Sequence, residues 1–225
     1  MRSVNLYNRI VIKIGSALLA KPNGSVNHEI LSAISEDIAW LLKKNKEVLV
    51  VSSGAIALGR KKIQLSQKFS LAESQAMAAH GQIELMSAWK KHLNKFSIPI
   101  GQMLLTPRDT ELKVSSKNAK QTVSKLIEAG CLPIINENDS TATDEIKFGD
   151  NDLLAAKVAK LINADLLIVL STVEGLYSSE DDLKAKKASA IIKQVTKITP
   201  NIRKMAGHAS DCLLYTSDAA DDNAG

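Results

Sequence analysis

The chain has 225 residues, of which 45% are hydrophobic and 4% aromatic, and its formal net charge at pH 7 is +5. This length can bury a full core, and no apolar run approaches the ~20 residues that a membrane-spanning helix needs, so we expect a cytoplasmic globular protein without membrane contact. The basic surplus suits an anionic ligand. Nucleic acid is not favoured as a partner, because the few aromatic residues do not lie in a basic stripe.

Apolar segments with strand and helix patterns alternate along the chain. The β-branched and apolar runs predict strands at residues 9–16, 47–51, 98–105, 132–136 and 165–170. A 3.6-residue period predicts helices from Asn27 to Leu42, from Ser70 to Leu93, from Lys117 to Ala129 and onward from Asp152, with a short hairpin arm at 141–147. Such alternation predicts an α/β fold: a three-layer α/β/α sandwich with a mainly parallel central sheet.

Lys13 lies near the end of the first predicted strand, just before Gly15. A lysine within a buried strand is costly unless its charge is paired, so we expect Lys13 to meet an anionic ligand or an acidic partner. The structural alternative is a lysine that protects an edge strand.

Small polar residues follow the second predicted strand. Ser52, Ser53 and Gly54 turn directly into a helical pattern, where exposed backbone N–H groups can bind an anion. The same residues also make an ordinary capped turn, and this motif alone does not decide between the two.

Two clusters of carboxylates and amides lie between residues 136 and 152. The first, at 136–139, follows the fourth predicted strand, and the second, at 150–152, begins a helix. Either cluster alone is typical of a solvated turn. Together they predict a binding site, because several acceptors held close together need a ligand, a cation or an ammonium group to satisfy them.

The two cysteines, Cys131 and Cys212, have neither metal-ligand spacing nor a disulfide pattern, so no metal-ligating residues are predicted. Cys131 is interpreted as a small buried hydrophobic residue.

Five motifs occur in an order that resembles the amino acid kinase family, and within it the branch that acts on glutamate. They are Val11–Ser16, Val51–Gly59, Gly101–Thr106, Ile135–Asp139 and Gly149–Asp152, and the resemblance runs from about Arg9 to Gly207. It implies ATP-dependent phosphorylation of the γ-carboxylate of L-glutamate, the first step of proline biosynthesis, with ATP and Mg²⁺ as cofactors.

The resemblance also implies roles for individual residues. Lys13 and Asp152 are the implied catalytic residues: Lys13 contacts the transferring phosphate, and Asp152 holds the lysine in place. The implied substrate-binding residues are Ser53, Gly54, Asn136, Asp139, Asp150 and Asn151. The implied nucleotide-binding residues are Lys13, Gly15, Ser171 and Thr172, although the family usually carries an acid at the last position.

L-glutamate and ATP are the implied partners, together with proline as a candidate feedback inhibitor and a second copy of the chain in a homo-oligomer. Two alternatives stay open. The acceptor could be another carboxylate or a carbamate, or the chain could be a catalytically inactive sensor that binds an amino acid.

Residues 1–207 are expected to form the kinase domain. Where the family continues into a glycine-rich loop that ends in a phosphate-binding lysine, residues 208–225 carry neither that loop nor a lysine. We therefore expect residues 208–225 to form a disordered tail that is foreign to the family. The kinase domain is then expected to be incomplete at its C-terminal end, and the chain to be weakly active or inactive.

Overall fold

The computed structural model describes residues 4–60, 70–141 and 151–205. The chain divides into two compact units, Met1–Leu170 and Ser171–Gly225. The first unit contains the sheet, and the second begins directly after its last strand.

Within the described residues, five strands form one sheet in which every paired neighbour is parallel. The strands are β1 (Arg9–Ile14), β2 (Glu47–Ser52), β3 (Ile100–Leu105), β4 (Leu132–Glu137) and β5 (Leu166–Leu170). Their order across the sheet is β3-β4-β2-β1-β5. Because β1 and β2 lie inside the sheet, both of their faces must be covered, which explains their nearly continuous apolar sequences.

Helices cover both faces of this sheet. The helices of the first unit are α1 (Ser16–Leu19), α2 (His28–Lys43), α3 (Ala55–Gly59), α4 (Leu71–Leu93), α5 (Pro107–Glu111), α6 (Lys113–Glu128) and α7 (Asn151–Leu161). One buried cluster joins Ile10, Ile12 and Ile14 to α2 and α4, and a second joins Val11 to α6 and α7. The predicted three-layer α/β/α fold is confirmed.

The short helix α3 packs unusually close to α4, because two glycines face the neighbouring backbone. A Cβ atom added to Gly81 would lie 1.8 Å from the carbonyl oxygen of Ala55, and one added to Gly59 would lie 2.0 Å from that of Met77. Only hydrogen fits at these positions, so the glycines set the spacing between the two helices.

Several details differ from the sequence-based expectations, among them the short helix α1, which was not predicted. Helix α6 begins at Lys113 rather than Lys117, because its first turn holds one apolar residue, the exposed Val114, and so shows little apolar period. Helix α5 was not predicted; it is short, and the Thr106 backbone N–H and hydroxyl both donate to Asp109 Oδ2 at 2.7 Å. Cys131 is partly exposed rather than buried, since it follows Gly130 in the turn before β4.

The second unit contains α8 (Glu180–Lys184), α9 (Pro200–Met205) and an isolated bridge between Tyr177 and Ile191. The predicted hairpin arm at 141–147 lies outside the described residues except for Thr141, which ends a short 3-10 helix, and the predicted domain boundary at 207 and the tail lie outside them entirely. In the described ranges, no helix combines the length and the apolar character needed to cross a bilayer.

Candidate active site

The connections of the sheet create a crevice between the carboxyl ends of β2 and β4. The helices that follow β2 pack on one face of the sheet, and α7, which follows β4, packs on the other. Adjacent parallel strands whose connections leave in opposite directions open a crevice at their carboxyl ends, where α/β proteins bind ligands. The small polar residues predicted after the second strand follow β2, and the predicted polar cluster at 136–139 lies at the end of β4.

Lys13 is 1% exposed, and its ammonium group pairs with Asp152 Oδ1. Side chains alternate along β1, so Lys13 shares the face of Val11, which α7 covers. Asp152 lies in the first turn of α7, where the helix dipole favours an acid. The predicted acidic partner is therefore present, and the edge-strand alternative is wrong because β1 lies between β2 and β5.

Gly15 leaves the approach to this ammonium group clear. Its N–H donates to the carbonyl of Leu170 at 3.0 Å, and a Cβ here would lie 3.4 Å from that carbonyl oxygen and 3.9 Å from Lys13 Nζ. A side chain at this position would occupy space beside the lysine, whereas glycine lets a charged group approach.

Ser53 and Gly54 connect β2 to α3. Ser53 is 6% exposed, and its N–H donates to the carbonyl of Ile14 at 3.1 Å, which ties the end of β2 to β1. Gly54 has φ +105°, a left-handed conformation that glycine adopts without strain. The turn thus brings the backbone of β2 directly into a short helix at the rim of the crevice.

The end of β4 carries the first polar cluster. Asn136 is 2% exposed; its Oδ1 accepts from the Glu137 backbone N–H at 2.9 Å, and its Nδ2 donates to Gln82 Oε1 at 2.8 Å. Asp139 is 7% exposed, and its Oδ1 has no hydrogen-bond partner in the part of the chain that the structure describes. Burial raises the pKa of Asp139 from 3.8 to about 6.

A cavity of about 430 Å³ lies between α4 and the ends of β3 and β4. Its polar lining includes Gln82, Glu137 and Asp139, and its apolar lining includes Ala78 and Met86. A pocket of this size with a few polar groups on an apolar wall is typical of a site for a small molecule.

Asn151, the first residue of α7, is 3% exposed, and among the described residues its Oδ1 has no hydrogen-bond partner. Asp150 lies outside the described residues. Ser171 and Thr172 belong to the second unit, where the Val173 N–H donates to Ser171 Oγ at 3.4 Å. The roles predicted for these four residues, and for every other predicted site residue, stay predictions.

Gln82 was not predicted from the sequence. It lies on α4, 54 residues before the asparagine that it contacts. A glutamine within a helix is usually a surface residue, and neither its type nor its spacing indicates that α4 passes the end of β4.

No group of three His, Cys, Asp or Glu side chains is placed to hold a metal ion in the described ranges. The charged groups described at the crevice include the ion pair of Lys13 and Asp152, the buried Glu137, and Asp139, whose Oδ1 has no hydrogen-bond partner in the described ranges. This combination can bind an anion at one end and a cation at the other.

The chain is similar in sequence to known proteins. The chain is 49% identical over 214 residues to the glutamate 5-kinase of Allorhizobium ampelinum, and 49% identical over 208 residues to that of Rhizobium etli strain CIAT 652. It is 47% identical over 216 residues to glutamate 5-kinase 1 of Mesorhizobium japonicum. These alignments cover 95%, 92% and 95% of this chain and 54%, 53% and 56% of the respective relatives, so the chain spans about half their length.

The model of the amino acid kinase family matches residues 8–201, which include all five strands and the whole crevice. With the parallel sheet and the strand-end residues already described, this match leads to one conclusion: the chain belongs to the amino acid kinase family.

Proposed function

We propose that this chain catalyses the ATP-dependent phosphorylation of the γ-carboxylate of L-glutamate, giving L-glutamyl 5-phosphate, the first step of proline biosynthesis. One observation carries the proposal: a buried ammonium on β1 and a buried carboxylate with an unpaired oxygen after β4 lie at the same edge of the sheet. Only β2 separates these strands, so their axes are ~10 Å apart. An amino acid with an acidic side chain and a transferring phosphoryl group suit a gap of this order.

The acceptor carboxylate is ionised at neutral pH and needs no general base. Repulsion between anions is the main barrier, so catalysis depends on positioning and on positive charge. Bound ATP would supply the γ-phosphoryl group, and Mg²⁺ would neutralise charge between its phosphates.

Lys13 is the residue suited to the transferring phosphoryl group, because its ammonium is held in a fixed position. Asp152 orients the lysine through the buried pair. Gly15 fits a phosphate neighbour, since it presents no side chain beside Lys13 Nζ. In the described ranges Mg²⁺ finds no group of three protein ligands, so we expect the phosphates to supply most of its ligands.

At the other end, Asp139 would accept hydrogen bonds from the substrate ammonium group. An ammonium in this place satisfies the Oδ1 atom that lacks a partner and favours the ionised carboxylate. The Ser53 hydroxyl and the amides of Asn136 and Asn151 are suited to the substrate carboxylates, and Gly54 gives access to the backbone. Asp150, Ser171 and Thr172 remain part of the proposal on sequence grounds alone.

A coupled assay of ADP release tests the proposal. L-glutamate should support turnover, whereas L-aspartate and N-acetyl-L-glutamate should not, because the first is one carbon shorter and the second lacks the ammonium. Lys13→Met should reduce turnover by about 100-fold or more, whereas the control Lys125→Met, at an exposed ion pair on α6, should change nothing. Glutamate binding without ADP release would favour the sensor alternative, and turnover with aspartate at an equal rate would contradict the assigned substrate.

We further infer that proline competes with glutamate, because both ligands carry an α-carboxylate and a positively charged α-nitrogen. Calorimetric titration of glutamate at several proline concentrations tests this competition. We also infer a homo-oligomer, and sedimentation velocity over a range of protein concentrations tests it.

A further inference from the structure

The amide groups at the end of β4 form a short chain of hydrogen bonds whose direction is fixed. The Glu137 backbone N–H can only donate, so the Asn136 atom facing it, at 2.9 Å, must be the oxygen. The Asn136 nitrogen therefore faces Gln82, and the Gln82 atom at 2.8 Å must be its oxygen. Gln82 Nε2 is left at the end of the chain as a donor.

That donor is buried and has no hydrogen-bond partner within residues 4–60, 70–141 and 151–205. A buried donor without an acceptor destabilises the fold, so such a group needs an explanation in a bound molecule or in its role. Asp139 Oδ1 is a buried acceptor that also lacks a hydrogen-bond partner in those ranges. Gln82 and Asp139 both line the 430 Å³ cavity, so one cavity carries both a donor and an acceptor that lack partners.

We propose that Gln82 binds the α-carboxylate of the amino acid whose ammonium group meets Asp139. An ammonium and a carboxylate joined to one carbon atom present a donor and an acceptor side by side, which complements the two side chains. The γ-carboxylate then extends across β2 toward Lys13. This inference rests on the proposed function and adds to it a residue that selects for a free α-carboxylate.

The surroundings of Gln82 agree with a binding role. Asn136 holds the amide oxygen, so the side chain is already oriented before any ligand arrives. Gly81, the residue before Gln82, lets the backbone of α4 lie close to that of α3, and this close packing holds the start of the Gln82 side chain in place. A trapped water molecule is the alternative partner for Nε2, and in that case Gln82 has only a structural role.

The substitution Gln82→Glu separates these roles, because it keeps an oxygen that accepts from Asn136 and replaces the Nε2 donor with a second acceptor. Calorimetry would measure the binding of L-glutamate and of its α-amide, which keeps the ammonium and the γ-carboxylate but has a neutral carboxamide. The unchanged chain should prefer glutamate over the α-amide by about 10- to 100-fold. Gln82→Glu should weaken glutamate binding by a similar factor, leave α-amide binding within about threefold, and so abolish the preference.

Gln121→Leu, at an exposed position on α6, is the control for Gln82→Leu, and thermal unfolding checks that every variant is folded. Gln82→Leu should weaken glutamate binding, whereas Gln121→Leu should leave it unchanged. Equal glutamate affinity in Gln82→Glu and the unchanged chain would overturn the inference, as would an equal loss for both ligands, which indicates a structural role. If the unchanged chain does not bind glutamate, the proposed function itself fails, and this inference fails with it.

Discussion

Lys13 and Asp152 are the pair of residues whose burial has the clearest energetic consequence. The ammonium side chain is 1% exposed and the carboxylate side chain 13% exposed. Removing one member of a buried ion pair leaves an uncompensated charge in the interior, whereas replacing both by apolar groups is often tolerated.

We therefore expect Asp152→Ala to lower the free energy of unfolding by about 3–5 kcal/mol. Lys13→Met combined with Asp152→Ala should cost less than the two single substitutions added together, since neither charge then remains. Urea unfolding of the four proteins measures this coupling. Lys125→Ala, which breaks an exposed pair, serves as the control, and additive single effects would show that the two charges do not interact.

Asp139 should make stability depend on pH in an unusual direction. Burial raises its pKa from 3.8 to about 6, so the folded state holds the proton more tightly than the unfolded state does. The contribution is fully present below pH 3.8 and is lost as the pH rises through about 6. A rise of about 2 in the pKa corresponds to roughly 3 kcal/mol of unfolding free energy.

Asp139→Asn should therefore raise the free energy of unfolding at pH 7.5 by up to roughly 3 kcal/mol, with the difference vanishing near pH 4. The same substitution should weaken glutamate binding at pH 7.5, because an amide cannot pair with the ammonium charge. Denaturant unfolding between pH 4 and pH 8 provides the first measurement and calorimetry the second. A stability difference that is constant across this range would contradict the assignment.

At the scale of elements, the substitution Gly81→Ala at the contact between α3 and α4 should have two opposite effects on stability. Gly81→Ala improves helix propensity by up to ~1 kcal/mol, but the new methyl group would lie 1.8 Å from the carbonyl oxygen of Ala55. Since backbone atoms cannot move aside cheaply, we expect packing to decide and the free energy of unfolding to fall by about 1–3 kcal/mol or more.

Gly130→Ala is the contrasting control for this prediction. Gly130 has φ +70° and nothing within 4 Å of an added Cβ, so only backbone strain of roughly 1–2 kcal/mol is expected. Glutamate affinity should fall in Gly81→Ala, because α4 carries Gln82, and stay unchanged in Gly130→Ala. Stabilisation by Gly81→Ala would show that the helices separate without cost.

The elements themselves were largely predictable. Helix α4 begins within one residue of its prediction because Ser70 and Glu73 form a capping box, which is a local signal. The strands were predicted because their apolar runs are short and bounded by polar turns. Helix α5 was missed and α6 was placed too late, since their exposed polar turns carry little periodic signal.

At the scale of the molecule, the order β3-β4-β2-β1-β5 makes neighbours of strands that are distant in sequence. Strand β4 follows β2 by about 80 residues, yet the two strands are paired: Val50 lies opposite Ile134, and Val51 lies opposite Ile135. This pairing places Ser53 beside the Asn136–Asp139 cluster, and the pairing of β1 with β2 adds Lys13. The site therefore depends on topology more than on any single motif.

The sequence by itself determined the α/β class, the strand ends that carry the polar residues and the family, because hydrophobic period, turn chemistry and motif order are all local properties. It also required a partner for Lys13, since a lysine in a buried strand must be compensated. Only the tertiary structure decided that this partner is Asp152, that Asp139 is buried with an oxygen lacking a partner among the described residues, and that Gln82 contacts Asn136 from α4. Distances and burial arise when distant segments pack together, and no local pattern of residues encodes them.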